Sequence, residues 1–194
     1  RPPYLSGMDV QKVILVLGAG RSSSSLIAHL LGQSEGEGWQ IHVGDLDLAA
    51  AQSKVQGHPH GHAFQMSVTD DADRDARIAS ADLVISMLPA FMHPEVARVA
   101  IEAGVHVLTP SYVSDDMQAL DPRAKEKGVL VLNEMGLDPG IDHMSAMQVI
   151  DEIREAGGTM VAFSVKGGQE AAFKFPNSLE IVDICNNWVL KNSA

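Results

Sequence analysis

Short apolar runs alternate along most of the chain with segments whose apolar residues recur at helical spacing. The run 13–17 contains only Val, Ile and Leu, a composition typical of a central strand buried on both faces of a parallel sheet. After it, Leu26, Ile27, Leu30 and Leu31 form the apolar side of a predicted helix. The pattern therefore predicts a strand followed by a helix, and this pair of signals returns several times.

Six strands and five helices are predicted before residue 134. The strands are predicted at 13–17, 40–45, 63–66, 82–86, 105–109 and 129–133, and the helices from residue 21 and at 46–56, 69–81, 94–103 and 115–127. Strands that alternate with helices form right-handed crossovers. We therefore expect an α/β fold of the Rossmann type, a doubly wound parallel sheet with helices on both faces.

Composition narrows the classes of partner. With 45% hydrophobic residues, the 194-residue chain can bury a large core. Its 14 basic and 25 acidic residues give a net charge of −11, which argues against nucleic acid and anionic membranes as partners. No apolar segment is long enough to span a membrane, no signal peptide is evident, and Cys185 is the one cysteine. These features predict a cytoplasmic protein without disulfides.

A glycine-serine turn follows the first strand. Gly18-Ala-Gly20-Arg21-Ser22-Ser23 matches the dinucleotide fingerprint except that Ser23 replaces the third glycine. Unpaired N–H groups at the start of a helix, together with the helix dipole, favour an anion there. We therefore predict that this turn, including Arg21 and the serine hydroxyls, binds the pyrophosphate of a dinucleotide. By itself the motif fits an ordinary strand–helix turn without a ligand equally well.

The second predicted strand ends at Asp45, where dinucleotide-binding folds carry the carboxylate that binds the adenine ribose. Such a carboxylate repels a 2′-phosphate. The sequence thus predicts NAD in preference to NADP, with Asp47 as a less well placed candidate for the same contact. Asp45 also suits the N-cap of the following helix, and the two roles are compatible.

The carboxyl ends of the other strands supply further candidate residues, because ligands of open α/β sheets bind at that edge. These ends read Ser86-Met-Leu88-Pro89, Thr109-Pro-Ser111-Tyr112 and Asn133-Glu-Met-Gly136. We predict that Ser86, Leu88, Pro89 and Ser111 contact the cofactor.

Three of these segments, 86–93, 111–114 and 133–143, closely resemble the saccharopine dehydrogenase (saccharopine reductase) family in its L-glutamate-forming branch. The resemblance implies an oxidoreductase that acts on the CH–NH group of a donor with NAD(P). Its small-molecule substrates are saccharopine, glutamate and aminoadipate semialdehyde, in a step of lysine metabolism. It also implies a homodimer and a second, α+β domain inserted after the nucleotide-binding domain.

We accordingly divide the chain into a dinucleotide-binding domain, 1–136, and the start of the substrate and dimerisation domain, 137–194. Family members carry a longer segment after the position of Gly167-Gly168, so the second domain is expected to be partial and the chain incomplete. Its last predicted helix, 178–190, has an apolar side that needs a surface to cover. We expect that helix either within the second domain or returning to the first.

The family pattern places an active-site aspartate at Asp138 and an active-site tyrosine at Tyr112. Oxidation of a secondary amine requires proton transfer, for which the pKa range of His143 is also suitable. From the residues alone, Asp138 also fits a turn residue, Tyr112 a packed loop aromatic, and His143 a hydrogen-bonding group at a hinge.

We expect no metal site. His58, His60 and His62 lie at alternating positions in a loop rich in Gly and Pro without carboxylates to orient them, whereas stable sites need fixed ligands.

Substrate charge leaves two alternatives open. Saccharopine bears three carboxylates, which arginines bind best, yet after Asn133 the chain offers as cations only Arg154, Lys166, Lys174 and Lys191. One alternative is therefore a carboxynorspermidine or homospermidine type reductase of the same superfamily. The other is a truncated, non-catalytic NAD-binding domain.

Overall fold

The computed structural model describes residues 11–159 with their side chains, and the backbone of 163–166, 171–173, 179–184 and 187–192. The chain divides into two compact units, Arg1–Gly136 and Leu137–Ala194. Each unit is described separately below.

The first unit is built on a six-stranded sheet in the order β3-β2-β1-β4-β5-β6. All five pairings are parallel. The strands are β1 (Lys12–Leu17), β2 (Trp39–Asp45), β3 (Gly61–Gln65), β4 (Leu83–Ser86), β5 (His106–Leu108) and β6 (Val131–Leu132). The sheet confirms the predicted Rossmann-type α/β fold.

Helices cover both faces of this sheet. They are α1 (Ser24–Glu37), α2 (Leu48–Val55), α3 (Asp71–Ala79), α4 (His93–Ala103), α5 (Asp115–Gln118) and α6 (Asp121–Lys127). One apolar cluster joins Ile14 and Val16 of β1 to α1 and α2. Leu15 and Leu17 point to the other face, where they join α3 and α4. Alternate side chains of β1 therefore enter opposite apolar layers, which explains why every residue of the run 13–17 is apolar.

The predicted helix bounds differ from the observed ones by a few residues, and in two cases the local sequence explains the difference. The predicted helix 115–127 is two helices, because Pro122 occupies the first turn of α6 and cannot donate a backbone hydrogen bond. The predicted helix 46–56 begins later, at Leu48, since Asp47 is its N-cap and accepts a hydrogen bond from the Ala49 amide.

The second unit begins with α7 (Ile141–Glu155) and continues with strands. They are β7 (Phe163–Lys166), β8 (Ala171–Phe173), β9 (Leu179–Ile184) and β10 (Asn187–Asn192), in the sheet order β10-β9-β7-β8. The prediction of a helix at 178–190 was wrong. β9 and β10 form an antiparallel pair there, as the β-branched Ile and Val residues of this segment favour. The motif Gly167-Gly168 and Lys174 lie outside the described residues.

Within the described residues, no helix is both long and apolar enough to cross a lipid bilayer.

Candidate active site

The glycine turn after β1 uses its two glycines differently. Gly18 has φ +102°, and a Cβ there would lie 2.9 Å from the carbonyl oxygen of Met87, so the position excludes other residues. At Gly20 the backbone has φ −66°, and a Cβ would meet no atom within 4 Å. Gly18 therefore builds the turn, whereas Gly20 leaves open space above it.

The segment after Gly20 presents backbone amides. Arg21–Ser23 form a 3₁₀ turn that leads into α1, and neither element has a side-chain cap at its N-terminus. The buried Ser23 hydroxyl donates to the carbonyl oxygen of Gly20 at 2.9 Å, while Arg21 and Ser22 are exposed. Uncapped amides at a helix start are suited to bind an anionic group.

Asp45 ties the end of β2 to this turn. One carboxylate oxygen accepts a hydrogen bond from the Ala19 amide at 2.6 Å, and the other accepts one from the Asp47 amide at 2.9 Å. The Asp45 carboxylate therefore has a structural function in the turn, whether or not it also contacts a ribose.

The ends of β4 and β5 are connected by a buried histidine. His93 is 2% exposed. Its Nδ1 lies 2.9 Å from Ser86 Oγ, and its Nε2 lies 2.8 Å from Ser111 Oγ. Burial lowers the pKa of the His93 imidazole below its usual value of 6.5. Two predicted cofactor residues, Ser86 and Ser111, are thus linked through a ring that stays neutral at physiological pH.

Leu88 is half-buried and Pro89 is exposed in the loop that follows β4. The preceding residue, Met87, contacts the glycine turn at Gly18, so this loop adjoins the predicted pyrophosphate position.

Tyr112 lies in the loop after β5 and is 54% exposed. The segment after β6 supports this loop. Glu134 donates its amide to Ser111 O at 3.0 Å, and its carboxylate accepts from the Val113 amide at 3.2 Å. Asn133, at the end of β6, has a buried side-chain oxygen without a hydrogen-bond partner among the described residues. A polar ligand with a donor group would satisfy it.

Asp138 and His143 are brought together in the second unit. The potential ligand atoms of Asp138, Asp142 and His143 all lie within 4.8 Å of one another. The Asp142 carboxylate accepts from His143 Nδ1 at 2.8 Å and from the Gly140 amide at 3.0 Å. Although partial burial raises the pKa of Asp142, hydrogen bonds from His143 and the charge of its ring hold that pKa below its usual range. Asp142 therefore orients the imidazole, as carboxylates beside functional histidines do.

Comparison with known proteins decides the family. Residues 14–132 match the model of the saccharopine dehydrogenase NADP-binding domain. The chain belongs to the saccharopine dehydrogenase family. The L-glutamate-forming, NADP⁺-dependent saccharopine dehydrogenase of Pyricularia oryzae is 39% identical over 169 residues, which cover 87% of this chain and 37% of the relative. The mitochondrial alpha-aminoadipic semialdehyde synthase of Rattus norvegicus is 34% identical over 92% of this chain and 19% of its own length.

A solved structure agrees with this assignment. The apo saccharopine dehydrogenase (L-Glu forming) of Saccharomyces cerevisiae superposes with a TM-score of 0.70 at 36% sequence identity. The superposition covers 79% of this chain and 34% of the yeast chain. The chain therefore spans about a third of the length of the fungal relatives that it matches.

The prediction of NAD as the cofactor was wrong. The matching model is an NADP-binding domain, and the fungal relatives are named as NADP⁺ enzymes. The prediction depended on Asp45 as a ribose ligand that repels a 2′-phosphate. In the structure, backbone amides hold both oxygens of that carboxylate, so an acidic residue at this position does not by itself report the cofactor.

His93 lies at the N-terminus of a helix, as its position before Pro94 predicts, but the sequence motifs did not reveal its hydrogen-bond partners. It precedes Pro94 at the start of α4, and nothing in its immediate sequence indicates two serine partners. The available signal was topological. β4 and β5 are neighbours, so serines that follow both strands lie at one edge with the start of α4.

Proposed function

We propose that the chain is the NADP-binding part, with the start of the substrate domain, of an L-glutamate-forming saccharopine dehydrogenase. The reaction interconverts saccharopine with glutamate and aminoadipate semialdehyde. The observation that supports it most is the 38–39% identity to fungal enzymes of that name over 87% of this chain.

The cofactor is proposed to lie along the carboxyl edge of the sheet. The amides after Gly20, with the exposed Arg21 and Ser22, hold the pyrophosphate, and Leu88, Pro89 and Ser111 line the nicotinamide end. Ser23 and Ser86 were predicted to contact the cofactor, but both are fully buried, and they support the site through their bonds to Gly20 O and His93. Positive charge for the 2′-phosphate is available from the exposed Arg21 and from Lys54, whose Nζ lies 2.6 Å from Ser24 Oγ at the start of α1. Asp45 keeps the turn in place beneath these groups.

When bound, the cofactor would supply the hydride acceptor for oxidation of the substrate's secondary amine to a C=N bond. Water then adds to the resulting C=N bond, and the products are an amine and an aldehyde. These steps require groups that take and return protons. We assign this function to Tyr112, Asp138 and His143. The hydrogen bond from His143 Nδ1 to Asp142 leaves Nε2 as the ring atom that exchanges a proton.

The cofactor site is tested by replacing Gly20 with Ala. The substitution is expected to leave the stability of the free protein nearly unchanged, since φ is −66° and no atom lies within 4 Å of the new Cβ. It should weaken NADPH binding at least about tenfold, because a methyl group takes the space of the pyrophosphate. Gly32→Ala on the exposed side of α1 is the matched control, with no expected change in affinity. Equal NADPH affinity in both variants would contradict the proposed site.

Activity is tested by the formation of NADPH from NADP⁺ in the presence of saccharopine, and by reductive condensation of the aldehyde with glutamate or with diamines. Saccharopine-dependent turnover supports the proposal. Turnover with diamines alone indicates the related polyamine reductases. NADPH binding without any turnover indicates a domain that needs further chain for catalysis.

Assembly and location are further proposals. We propose a homodimer, which sedimentation equilibrium tests directly: a mass near 20.7 kDa would contradict it. A cytoplasmic location stays a prediction, and the mammalian relatives are named as mitochondrial. Subcellular imaging of the native protein separates the two.

A further inference from the structure

We propose that His93 is a positioning residue that holds Ser111, and with it the Tyr112 loop, in register with the cofactor-binding end of β4. The inference rests on the proposed function, because it assigns a purpose to a contact between two parts of that site. Neither the motif nor the family match singles out this contact.

The geometry of the imidazole carries the first step. Both ring nitrogens have a hydroxyl partner, Ser86 Oγ at 2.9 Å and Ser111 Oγ at 2.8 Å, and the ring is almost completely buried. A residue that only filled space at the start of α4 would not need both nitrogens. The two partners belong to different elements: Ser86 ends β4, and Ser111 lies in the loop after β5. The ring therefore fixes the separation between β4 and this loop.

The protonation state of the His93 ring determines which serine hydroxyl donates to it and which accepts from it. A neutral imidazole carries one N–H, so one serine donates its hydroxyl proton to the ring and the other accepts from it. Among the described residues, no acidic side chain contacts His93 to stabilise a charged ring, and burial lowers its pKa. The arrangement thus persists through neutral pH.

Contacts on both sides extend the connection. On the β4 side, Ser86 precedes Met87, whose carbonyl oxygen packs against Gly18 in the glycine turn. On the β5 side, Ser111 precedes Tyr112, and the backbone carbonyl of Ser111 accepts a hydrogen bond from the Glu134 amide at 3.0 Å. His93 therefore lies between the groups proposed to hold the cofactor and the tyrosine proposed to act on the substrate.

Two substitutions separate the bonds of the ring. In His93→Asn, the side-chain amide lies where Nδ1 was, so this variant retains the bond to Ser86 and loses the bond to Ser111. In His93→Gln, the longer side chain places its amide near the position of Nε2, so this variant retains the bond to Ser111 and loses the bond to Ser86. Ser34→Ala is the control for loss of stability, because its buried hydroxyl donates to Leu31 O within α1, away from the site. Ser111→Ala removes the partner itself.

The readout is the ¹⁹F resonance of fluorotyrosine at Tyr112, in a Tyr4→Phe background that removes the other tyrosine. We expect His93→Asn and Ser111→Ala to shift and broaden this resonance in the free protein and to raise the Kd for NADPH about fivefold, the effect of one lost hydrogen bond. His93→Gln keeps the bond to Ser111 and is therefore expected to keep the Tyr112 resonance, although it loses the bond to Ser86. Ser34→Ala is expected to keep the resonance and to change the Kd less than about twofold.

The proposal is overturned if His93→Asn leaves the Tyr112 resonance and the Kd as Ser34→Ala does. It is equally overturned if His93→Gln shifts the Tyr112 resonance as far as His93→Asn does. Failure of the wild-type chain to bind NADPH would reject the proposed function, and with it the purpose of the contact, while the resonance of the free protein still reports whether His93 sets the loop.

Discussion

Asp45 connects two backbone amides through the two oxygens of one carboxylate. Replacing it with Ala removes both acceptors and leaves the buried Ala19 amide without its partner. We expect the free energy of unfolding to fall by about 1–3 kcal/mol, measured by chemical denaturation. Asp47→Ala is the comparison, because it removes one N-cap bond to Ala49 and is expected to cost about 1 kcal/mol. A smaller loss for Asp45→Ala than for Asp47→Ala would contradict the structural function of Asp45.

Burial of His93 predicts a dependence of stability on pH. The folded protein holds this imidazole neutral with a lowered pKa, while the unfolded chain protonates it near 6.5. The stability contributed by the neutral ring is therefore complete above pH 6.5, and it is lost as the pH falls toward the lowered pKa. His42 acts in the same direction, since burial, His62 and Arg77 lower its pKa.

The thermal midpoint of the wild type should therefore fall more steeply between about pH 6.5 and pH 5 than that of His93→Gln. The difference between the two proteins isolates His93 from His42. Parallel curves would show that burial of His93 has no cost in this range.

At the scale of single residues, the sequence shows which residue types are candidates for the site more readily than which atoms those residues contact. Gly18 and Gly20 stand out because the fingerprint requires them at fixed spacing, and Asp45 stands out because it ends the second strand. The hydrogen-bond partner of Asp45 cannot be read from the sequence. A carboxylate that accepts from the Ala19 amide and one that binds a ribose have the same sequence signature. This ambiguity is the physical reason why the cofactor prediction failed.

Substitutions of two glycines by alanine test the packing of single elements, a helix and a strand. In α1, Gly32 has no atom within 4 Å of an added Cβ, so Gly32→Ala is expected to stabilise the protein by about 1 kcal/mol through helix propensity. In β2, a Cβ at Gly44 would lie 2.7 Å from the Phe64 ring. Gly44→Ala should therefore destabilise the protein by about 1–3 kcal/mol. Thermal denaturation checks both, and equal signs for the two changes would contradict the described packing of β2.

Elements were predictable where one periodicity dominates. The apolar run of β1 and the spaced leucines of α1 each fit a single structure. The segment 178–190 does not, because its apolar residues satisfy helical and strand spacing alike, and only pairing with a neighbouring strand decides between them.

At the scale of the whole molecule, the parallel order of the sheet brings the separate motifs to one edge. Gly20, Asp45, Ser86, Ser111 and Asn133 are far apart in sequence, and each follows or ends a strand of the same sheet. Strand and helix alternation predicts this gathering without knowledge of side-chain contacts. Substrate recognition is less predictable, since the chain spans about a third of its fungal relatives.

The most direct test is a calorimetric titration of the wild-type chain with NADPH and, separately, with NADH. An NADP-binding domain of this family should bind NADPH with a Kd at least about tenfold below that for NADH, because the 2′-phosphate adds charge-assisted contacts. Tighter binding of NADH, or no binding of either nucleotide, would contradict the central claim.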